Sequence, residues 1–293
     1  MHHSDDIEEG RWSLMAGNAL KAMVTFFTIW QQEITQEDMD AMDEKFHLAP
    51  IVGALIGLVV LIETVILAEL AVHGIFWSPL FSAAVVLATV YTGSRFLHFD
   101  GLADFGDGSI VAGTREDHVR ALKDTLIGAG GLGVALIVTL LSFAEYSMAG
   151  IYMIVLFPMT EILLKNAQVC TAAFGLPSNG MAGKQVSCTD RSSMMRSSVL
   201  SLVLCIVFGV VSAVIFNRIY DPLPVIGFMD VLFFAVFGVL ATIVSGYLMA
   251  GRSNRVFGFV NGDILGASHE ISRAAVMLVF VLMCGVFYRC RLL

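Results

Sequence analysis

The chain has 293 residues, 57% of them hydrophobic and only 14% charged, with a formal net charge of −8 at pH 7 and a mean hydropathy of +0.81. Soluble domains are near half apolar with about a quarter of their residues charged, so this balance indicates a polytopic membrane protein. The acidic balance argues against nucleic acid as a partner. The five cysteines form no CxxC pair and lie mostly in or beside apolar runs, which reads as reduced and structural. His2-His3 has no metal-ligand partners nearby, and the acidic N-terminus lacks the basic region of a cleaved signal peptide.

Residues 12–31 are moderately apolar and interrupted by Asn18 and Lys21, a weak first span or an interfacial helix. Residues 32–47 carry Glu33, Glu37, Asp38, Asp40, Asp43 and Glu44 and read as a solvated acidic helix or loop. Clear apolar runs follow at 48–72, 75–97, 127–149, 151–175, 197–217, 228–250 and 272–289. A helix of roughly 20 apolar residues crosses a bilayer core. The expected architecture is therefore an all-α membrane helix bundle with about seven to eight membrane segments. It forms a single catalytic domain over 1–293, with 48–293 as the transmembrane core. Gly53, Gly57 and the glycines from 128 to 133 permit close helix packing.

Counting the first segment as a span puts the polar loops 32–47, 99–126, 176–196 and 251–273 on one side. These loops hold Lys45, Arg115, Arg120, Lys123, Lys184, Arg191, Arg196, Arg252, Arg255 and Arg273. The other side holds Arg11, Arg218, Arg289 and Arg291, and Lys21, Arg95 and Lys165 fall inside apolar segments. Ten against four assigns the long loops to the cytoplasmic face of the cell membrane.

The chemistry concentrates in Phe99-Asp100-Gly101-Leu102-Ala103-Asp104-Phe105-Gly106-Asp107-Gly108. In a helix, Asp104 and Asp107 share a face with Asp100 within a sector of roughly 60°, at about 100° per residue. Carboxylates at a membrane edge repel one another and call for a cation. Magnesium, which takes carboxylate oxygens plus substrate phosphates, fits short aspartates better than a His/Cys metal would. The competing reading is a solvated acidic turn, since Gly101, Gly106 and Gly108 are also turn residues.

The next loop reads as an amphipathic surface helix in which Arg115, Arg120 and Lys123 either hold phosphate oxygens or flank the membrane as ordinary positive-inside charges. Asp124 is either a further carboxylate of the metal site or a helix cap. Residues 175–184, ending Gly183-Lys184, resemble a phosphate cradle without being a Walker motif. In Asn261-Gly262-Asp263, the aspartate either caps a helix or shares a face with Glu270. Glu63, Glu69, Glu161 and Lys165 lie within apolar runs, and Glu161 and Lys165 are spaced to form an ion pair.

Taken together, four segments resemble the cobalamin synthase family, the adenosylcobinamide-GDP ribazoletransferases. They are Thr92-Gly93 leading into His98-Phe99-Asp100-Gly101-Leu102-Ala103-Asp104 with Asp107-Gly108, Lys123-Asp124 to Gly128, Gly183-Lys184, and Gly262-Asp263 with Leu265-Gly266-Ala267 and Glu270. The resemblance runs through most of the chain. It implies a transferase that joins adenosylcobinamide-GDP to α-ribazole, or to α-ribazole 5'-phosphate, releasing GMP with magnesium as cofactor. It further implies Asp100, Asp104 and Asp107 as metal ligands, and Asp263 or Asp124 completing the site or orienting the nucleophile. His98 is the candidate base, set against an equal expectation that it is a satisfied packing residue. Lys184 is the candidate phosphate ligand, with Lys123, Arg95 and Glu270 as further substrate-binding residues.

Three departures from the family pattern bear on substrate handling. Thr125 and Leu126 follow Asp124 where the family carries Asp-Ser-Arg, which removes a guanidinium. Asn261 stands in place of a threonine, and Arg273 occupies a position that is acidic in relatives. Two inserted residues before His98 bring in Arg95, so that Arg95 and Arg273 are candidates for the missing cation. Rival readings are a cation transporter using Glu63, Glu69, Glu161 and Lys165, and an inactive membrane scaffold. The apolar faces also suit a homo-oligomer or contacts with partner enzymes.

Overall fold

The computed structural model describes residues 2–221 and 225–292, with side chains described for 14–221 and 225–286. The acidic side chains before residue 14, together with Arg289, Cys290 and Arg291, lie outside the described side chains. Among the described residues there is no strand.

The first helix, α1 (His2–Phe27), leads to a short α2 (Gln36–Glu44), which starts at a capping box between Thr35 and Asp38. Next come α3 (Ala49–Val72), with Pro50 in its first turn, and α4 (Pro79–Gly93), capped by the Ser78 hydroxyl. The aspartate-bearing stretch is α5 (Leu97–Ile110), and α6 (Arg115–Leu122) begins at a second capping box, Thr114 with Asp117. Then follow α7 (Ala129–Ala149), α8 (Met153–Phe174), α9 (Met181–Cys188), α10 (Arg191–Ile219), α11 (Phe228–Val256) and α12 (Gly262–Leu292).

The axis of the bundle is α8. Every residue from Met153 to Ala172 is buried, enclosed by α3, α10, α11 and α12, as expected of a helix that is packed on all sides. Close approach of α3 depends on Gly53 and Gly57. A Cβ on Gly53 would lie 2.5 Å from the Glu161 carbonyl oxygen, and one on Gly57 would lie 2.7 Å from that of Pro158.

Five helical stretches are long and apolar enough to cross a membrane, and six if the bent pair α4–α5 counts as one. This falls short of the expected seven to eight, for two reasons. Residues 14–27 make only a short apolar helix, and 129–174 form one continuous apolar stretch. That stretch is folded at Gly150 (φ 55°). Tyr146 and Glu161 are 3.5 Å apart across the fold, where a straight helix would hold residues fifteen positions apart at about 22 Å.

The junction of α4 and α5 bends by 90°. Arg95 (φ 55°) and Phe96 (φ 57°) are both left-handed there, a costly arrangement for residues other than glycine. Arg95 is held by hydrogen bonds from Nη2 to the carbonyls of Thr25 (3.2 Å) and Phe26 (3.0 Å), the free end of α1.

Residues 32–47 are only in part the solvated segment expected from their charge: Glu33, Glu37 and Glu44 are exposed, but two of the aspartates are not. Asp38 is 3% and Asp43 9% exposed, Lys21 Nζ lies 3.0 Å from Asp38 Oδ2, and Met42 and Phe46 enter the core. α2 packs on α1 and α9 and roofs the end of the bundle that carries the aspartates. Cys170 and Cys205 are buried and, like Cys188 and Cys284, free.

Candidate active site

The glycines of the aspartate stretch are packing positions inside a helix, not turn residues. A Cβ on Gly101 would lie 2.6 Å from the carbonyl oxygen of Asp263, so the absence of a side chain lets the start of α12 rest directly on α5. This brings Asp263 beside the face that carries Asp100 and Asp104. Gly106 sits against Gly131 and Val134 of α7, and Gly108 against Leu122 and Phe257.

Two loops complete the end of the bundle. Val260 N donates to Leu176 O at 2.7 Å and Leu176 N to Asn254 Oδ1 at 2.9 Å, which ties the loop before α9 to the loop before α12. Asn261 Nδ2 donates to Asp263 Oδ2 at 2.7 Å and orients that carboxylate.

Asp104 lies within electrostatic reach of Asp263, Asp100 and Asp107. None of these four forms an ion pair among the described residues. Asp107 is anchored at the start of α7, where Oδ2 accepts from Gly128 N at 2.6 Å and Oδ1 from Gly131 N at 2.7 Å. A carboxylate is favoured there by the helix dipole and the free amides. Asp107 thus does the capping that sequence reading had offered to Asp124. Asp124 instead accepts from Leu126 N at 3.1 Å in a local turn and shares a shallow second cavity with Asp107, Leu126 and Gly128.

A cavity of about 250 Å³ lies under the roof of α2 and α9, with Asp100, Asp263 and His98 on its wall. His98 is 2% exposed and stacks between Phe27 (centroids 5.8 Å apart) and His269 (3.9 Å), and its Nε2 is 3.0 Å from Lys165 Nζ. Of its two sequence readings, this environment matches the packing one: a proton acceptor with its Nε2 engaged by Lys165 is poorly placed to serve as a base.

The remaining predicted residues disperse. Lys184 pairs with Asp40 of α2, which holds the Lys184 ammonium above its ordinary range and the Asp40 carboxyl below its own. Lys123 sits 5.8 Å from the Phe259 ring centroid and is the cation that acts on Asp263. Arg120 pairs with Asp117 and Arg115 Nη2 reaches Arg255 O, so neither stands free. Arg95 is occupied with α1. Arg273, 1% exposed, donates to Glu161, to Glu270 Oε2 at 3.1 Å and to Tyr146 OH at 3.0 Å. Neither arginine therefore replaces the guanidinium missing at Leu126.

Glu270 is 1% exposed and belongs to the Arg273 network rather than to the cavity. Glu161 pairs with Arg273 and not with Lys165, which bonds His98 and Gln168. Glu63 accepts from Thr89 at 3.0 Å and Glu69 lies beside His73, so the intramembrane acids form separate local contacts rather than a relay.

Sequence reading missed Asp43 and Gln185 on the cavity wall. Burial pushes the Asp43 carboxyl up to about 6 against the opposing effect of Lys184, with Asp40 and Glu44 adding to the rise. The spacing Met39, Met42, Phe46 signals that α2 buries one face, but nothing in the sequence marks Gln185.

Among the described residues, one set of three ligand-type atoms converges within 4.8 Å, that of His98, His269 and Glu270. Its imidazoles are stacked at 16°, so their in-plane lone pairs run side by side instead of meeting, with Lys165 and Arg273 close by. It is a hydrogen-bonded core. The aspartates are the oxygen donors a hard cation such as magnesium takes, and none is in an ion pair among the described residues, but no three of their ligand atoms lie within 4.8 Å of one another, so a cation held there would bind through few carboxylates and complete its shell with water and substrate phosphate.

An "Adenosylcobinamide-GDP ribazoletransferase" of Methanocella arvoryzae is 30% identical over 90% of this chain and 96% of its own length. One of Methanosarcina mazei is 28% identical over 89% and 90%. A third, from Pyrococcus abyssi, is 30% identical over 67% and 74%. No solved structure matches the chain significantly. The family profile described as cobalamin-5-phosphate synthase matches residues 19–281, and the chain belongs to that family.

Proposed function

We propose that this protein is a membrane-embedded adenosylcobinamide-GDP ribazoletransferase that makes the nucleotide loop of cobalamin. The observation that carries the reading is the group of Asp100, Asp104, Asp107 and Asp263, none of them in an ion pair among the described residues and two of them, Asp100 and Asp263, on the wall of a cavity, in a chain of this family. Asp100, Asp104 and Asp107 are the residues that hold magnesium, with Asp107 pre-oriented by the α7 amides. Bound there, the ion supplies charge neutralisation for the substrate pyrophosphate.

Asp263, oriented by Asn261, takes the proton from the attacking hydroxyl of α-ribazole or of its 5'-phosphate. The new oxygen–phosphorus bond forms at the cobinamide-side phosphorus, the bridging phosphoanhydride bond breaks, and GMP leaves. Lys123, acting on Asp263 from α6, is the cation that steadies phosphate oxygens in place of the guanidinium absent at Leu126.

The protein lies in the cell membrane with the aspartate end toward the cytoplasm, supported by a nine-to-four distribution of basic residues once the buried Arg273 is set aside. α7 and α8 make separate passes, supported by the fold at Gly150.

The test is incubation of the purified protein with adenosylcobinamide-GDP, α-ribazole and magnesium, with and without chelator. Metal-dependent appearance of both cobalamin and GMP supports the reading. Absence of both from folded protein, with α-ribazole 5'-phosphate also tried, overturns it.

A further inference from the structure

We propose that the cavity under α2 and α9 seats the guanine of adenosylcobinamide-GDP, with the Asp43 carboxylate accepting from guanine N1–H and from its 2-amino group. This rests on the transferase reading and adds to it a residue that decides which nucleotide the enzyme takes.

Asp43 is a polar side chain of this wall that the protein leaves unsatisfied. It is 9% exposed, borders the cavity and takes part in no hydrogen bond or ion pair among the described residues. Lys184, which acts on it through space, is paired with Asp40. Other polar groups of the lining are committed. Gln168 Oε1 accepts from Lys165 Nζ at 3.1 Å and its Nε2 donates to Leu265 O at 3.3 Å. Asn261 Nδ2 donates to Asp263, its Oδ1 accepts from Ile264 N at 3.1 Å, and Ser178 Oγ accepts from Gly180 N at 3.4 Å. Neither Asp43 oxygen is sealed off by the protein, whereas the unpaired Gln185 Nε2 is. A buried carboxylate without a donor is costly, and a ligand that brings donors removes the cost.

An ionised carboxylate only accepts, and its two oxygens suit a pair of parallel donors. Guanine presents such a pair, N1–H beside the 2-amino group, with the O6 acceptor on the other side of N1. The base of α-ribazole, a benzimidazole with ribose on one ring nitrogen, has no N–H and would turn a lone pair or an apolar edge to the carboxylate. Donors for O6 stand on the same wall. α9 begins there, and the amides of Met181 and Ala182, which precede its first intrahelical bond, form no hydrogen bond among the described residues. Phe26 and Leu97, both half-buried, and Met181, 75% exposed, offer uncovered apolar surface to the faces of the ring.

Position supports the same occupant. Asp43 comes to the wall from α2, whereas Asp100 and Asp263 come to it from α5 and α12. A nucleotide with its base at Asp43 therefore directs its phosphates toward the carboxylates proposed to hold magnesium, where the phosphoanhydride bond breaks. The ribose hydroxyls and the corrin carboxamides of the same substrate also donate hydrogen bonds. A change of base at constant sugar and corrin separates them from guanine.

The experiment uses the full-length protein with magnesium and α-ribazole, and compares adenosylcobinamide-GDP with its hypoxanthine and xanthine counterparts. Hypoxanthine lacks the 2-amino group, and xanthine carries an oxygen in its place. In the wild-type protein, kcat/KM is expected to fall about tenfold to a hundredfold with either analogue. Asp43→Asn is expected to reverse the order of guanine and xanthine, because its Nδ2 donates to the xanthine oxygen while its Oδ1 still accepts from N1–H. KM for α-ribazole is expected to stay the same throughout. Equal kcat/KM for the three bases in the wild-type protein overturns the proposal. So does an Asp43→Asn loss that is the same for all three, which assigns Asp43 to a ribose hydroxyl or a corrin carboxamide, and so does a change confined to KM for α-ribazole. Absence of transfer by the wild-type protein instead removes the transferase reading and this inference with it.

Discussion

Gly101 and Asp263 touch through their backbones, with no room between them: a single added methyl group on Gly101 would meet the Asp263 carbonyl oxygen at 2.6 Å. That contact joins α5 to α12 and assembles the carboxylates from two helices more than 150 residues apart in the chain. Gly101→Ala is expected to force the helices apart at a cost of about 1–3 kcal/mol. Thermal denaturation reads that loss, and transfer activity is expected to fall further than stability, because Asp263 moves away from Asp104. Full activity in Gly101→Ala would show that Asp263 is not part of the site.

Asp104 stands among three other carboxylates and caps no helix. Asp104→Asn is expected to leave the melting temperature unchanged or raised, since it removes like-charge repulsion. Transfer is expected to fall by about 10²–10³-fold, the cost of losing one preorganised electrostatic group. Product chromatography together with a melting curve separates these two effects.

Asp107 combines two duties that its variants separate. Asp107→Ala leaves the Gly128 and Gly131 amides without their acceptor and is expected to cost about 1 kcal/mol, as for loss of a helix cap. Asp107→Asn keeps one oxygen acceptor, so it is expected to recover much of the stability without recovering activity. Equal activity in Asp107→Asn and wild type would remove Asp107 from the ligand set.

Arg273 neutralises Glu161 and Glu270 in the interior. Arg273→Leu leaves two buried carboxylates without their cation and is expected to destabilise by about 3–5 kcal/mol. Adding Glu161→Gln and Glu270→Gln is expected to restore part of that loss, a non-additivity that a set of melting curves can read.

Asp43 gives the protein a pH dependence of definite sign. Its folded value of about 6 lies above the ordinary 3.8, so the folded state binds the proton more tightly than the unfolded chain. Below the unfolded value both states are protonated and there is no contribution. As pH rises from there through about 6, stability is lost, because the buried carboxyl must ionise. Asp43→Asn is expected to be more resistant to denaturation than wild type at pH 8, with the difference shrinking by pH 5. Parallel curves for the two proteins would contradict the burial of Asp43.

Much of the architecture was legible in the chain. The period and length of the apolar runs marked α3, α7, α8, α10, α11 and α12, because a bilayer accepts only segments that satisfy their own backbone hydrogen bonds. The spacing of Asp100, Asp104 and Asp107 specified a shared helix face, since the helical repeat is a local property. In the acidic segment 32–47, Glu33, Glu37 and Glu44 are exposed as expected and Asp38 and Asp43 are not, because charge counts describe average exposure. Whether Asp38 and Asp43 are covered depends on which helix folds over them.

Sequence alone therefore determined a membrane helix bundle with an acidic helix face, and the motif order that marks its family. Tertiary structure decided which carboxylates lie near one another, that Asp107 is oriented by an amide pair, that Arg273 and not Lys165 answers Glu161, and that Asp43 and Gln185 border a cavity. The physical reason is distance along the chain. Periodicity and caps act over a few residues, whereas ion pairing, cavity shape and backbone contact at a glycine are set only once helices remote in sequence pack together.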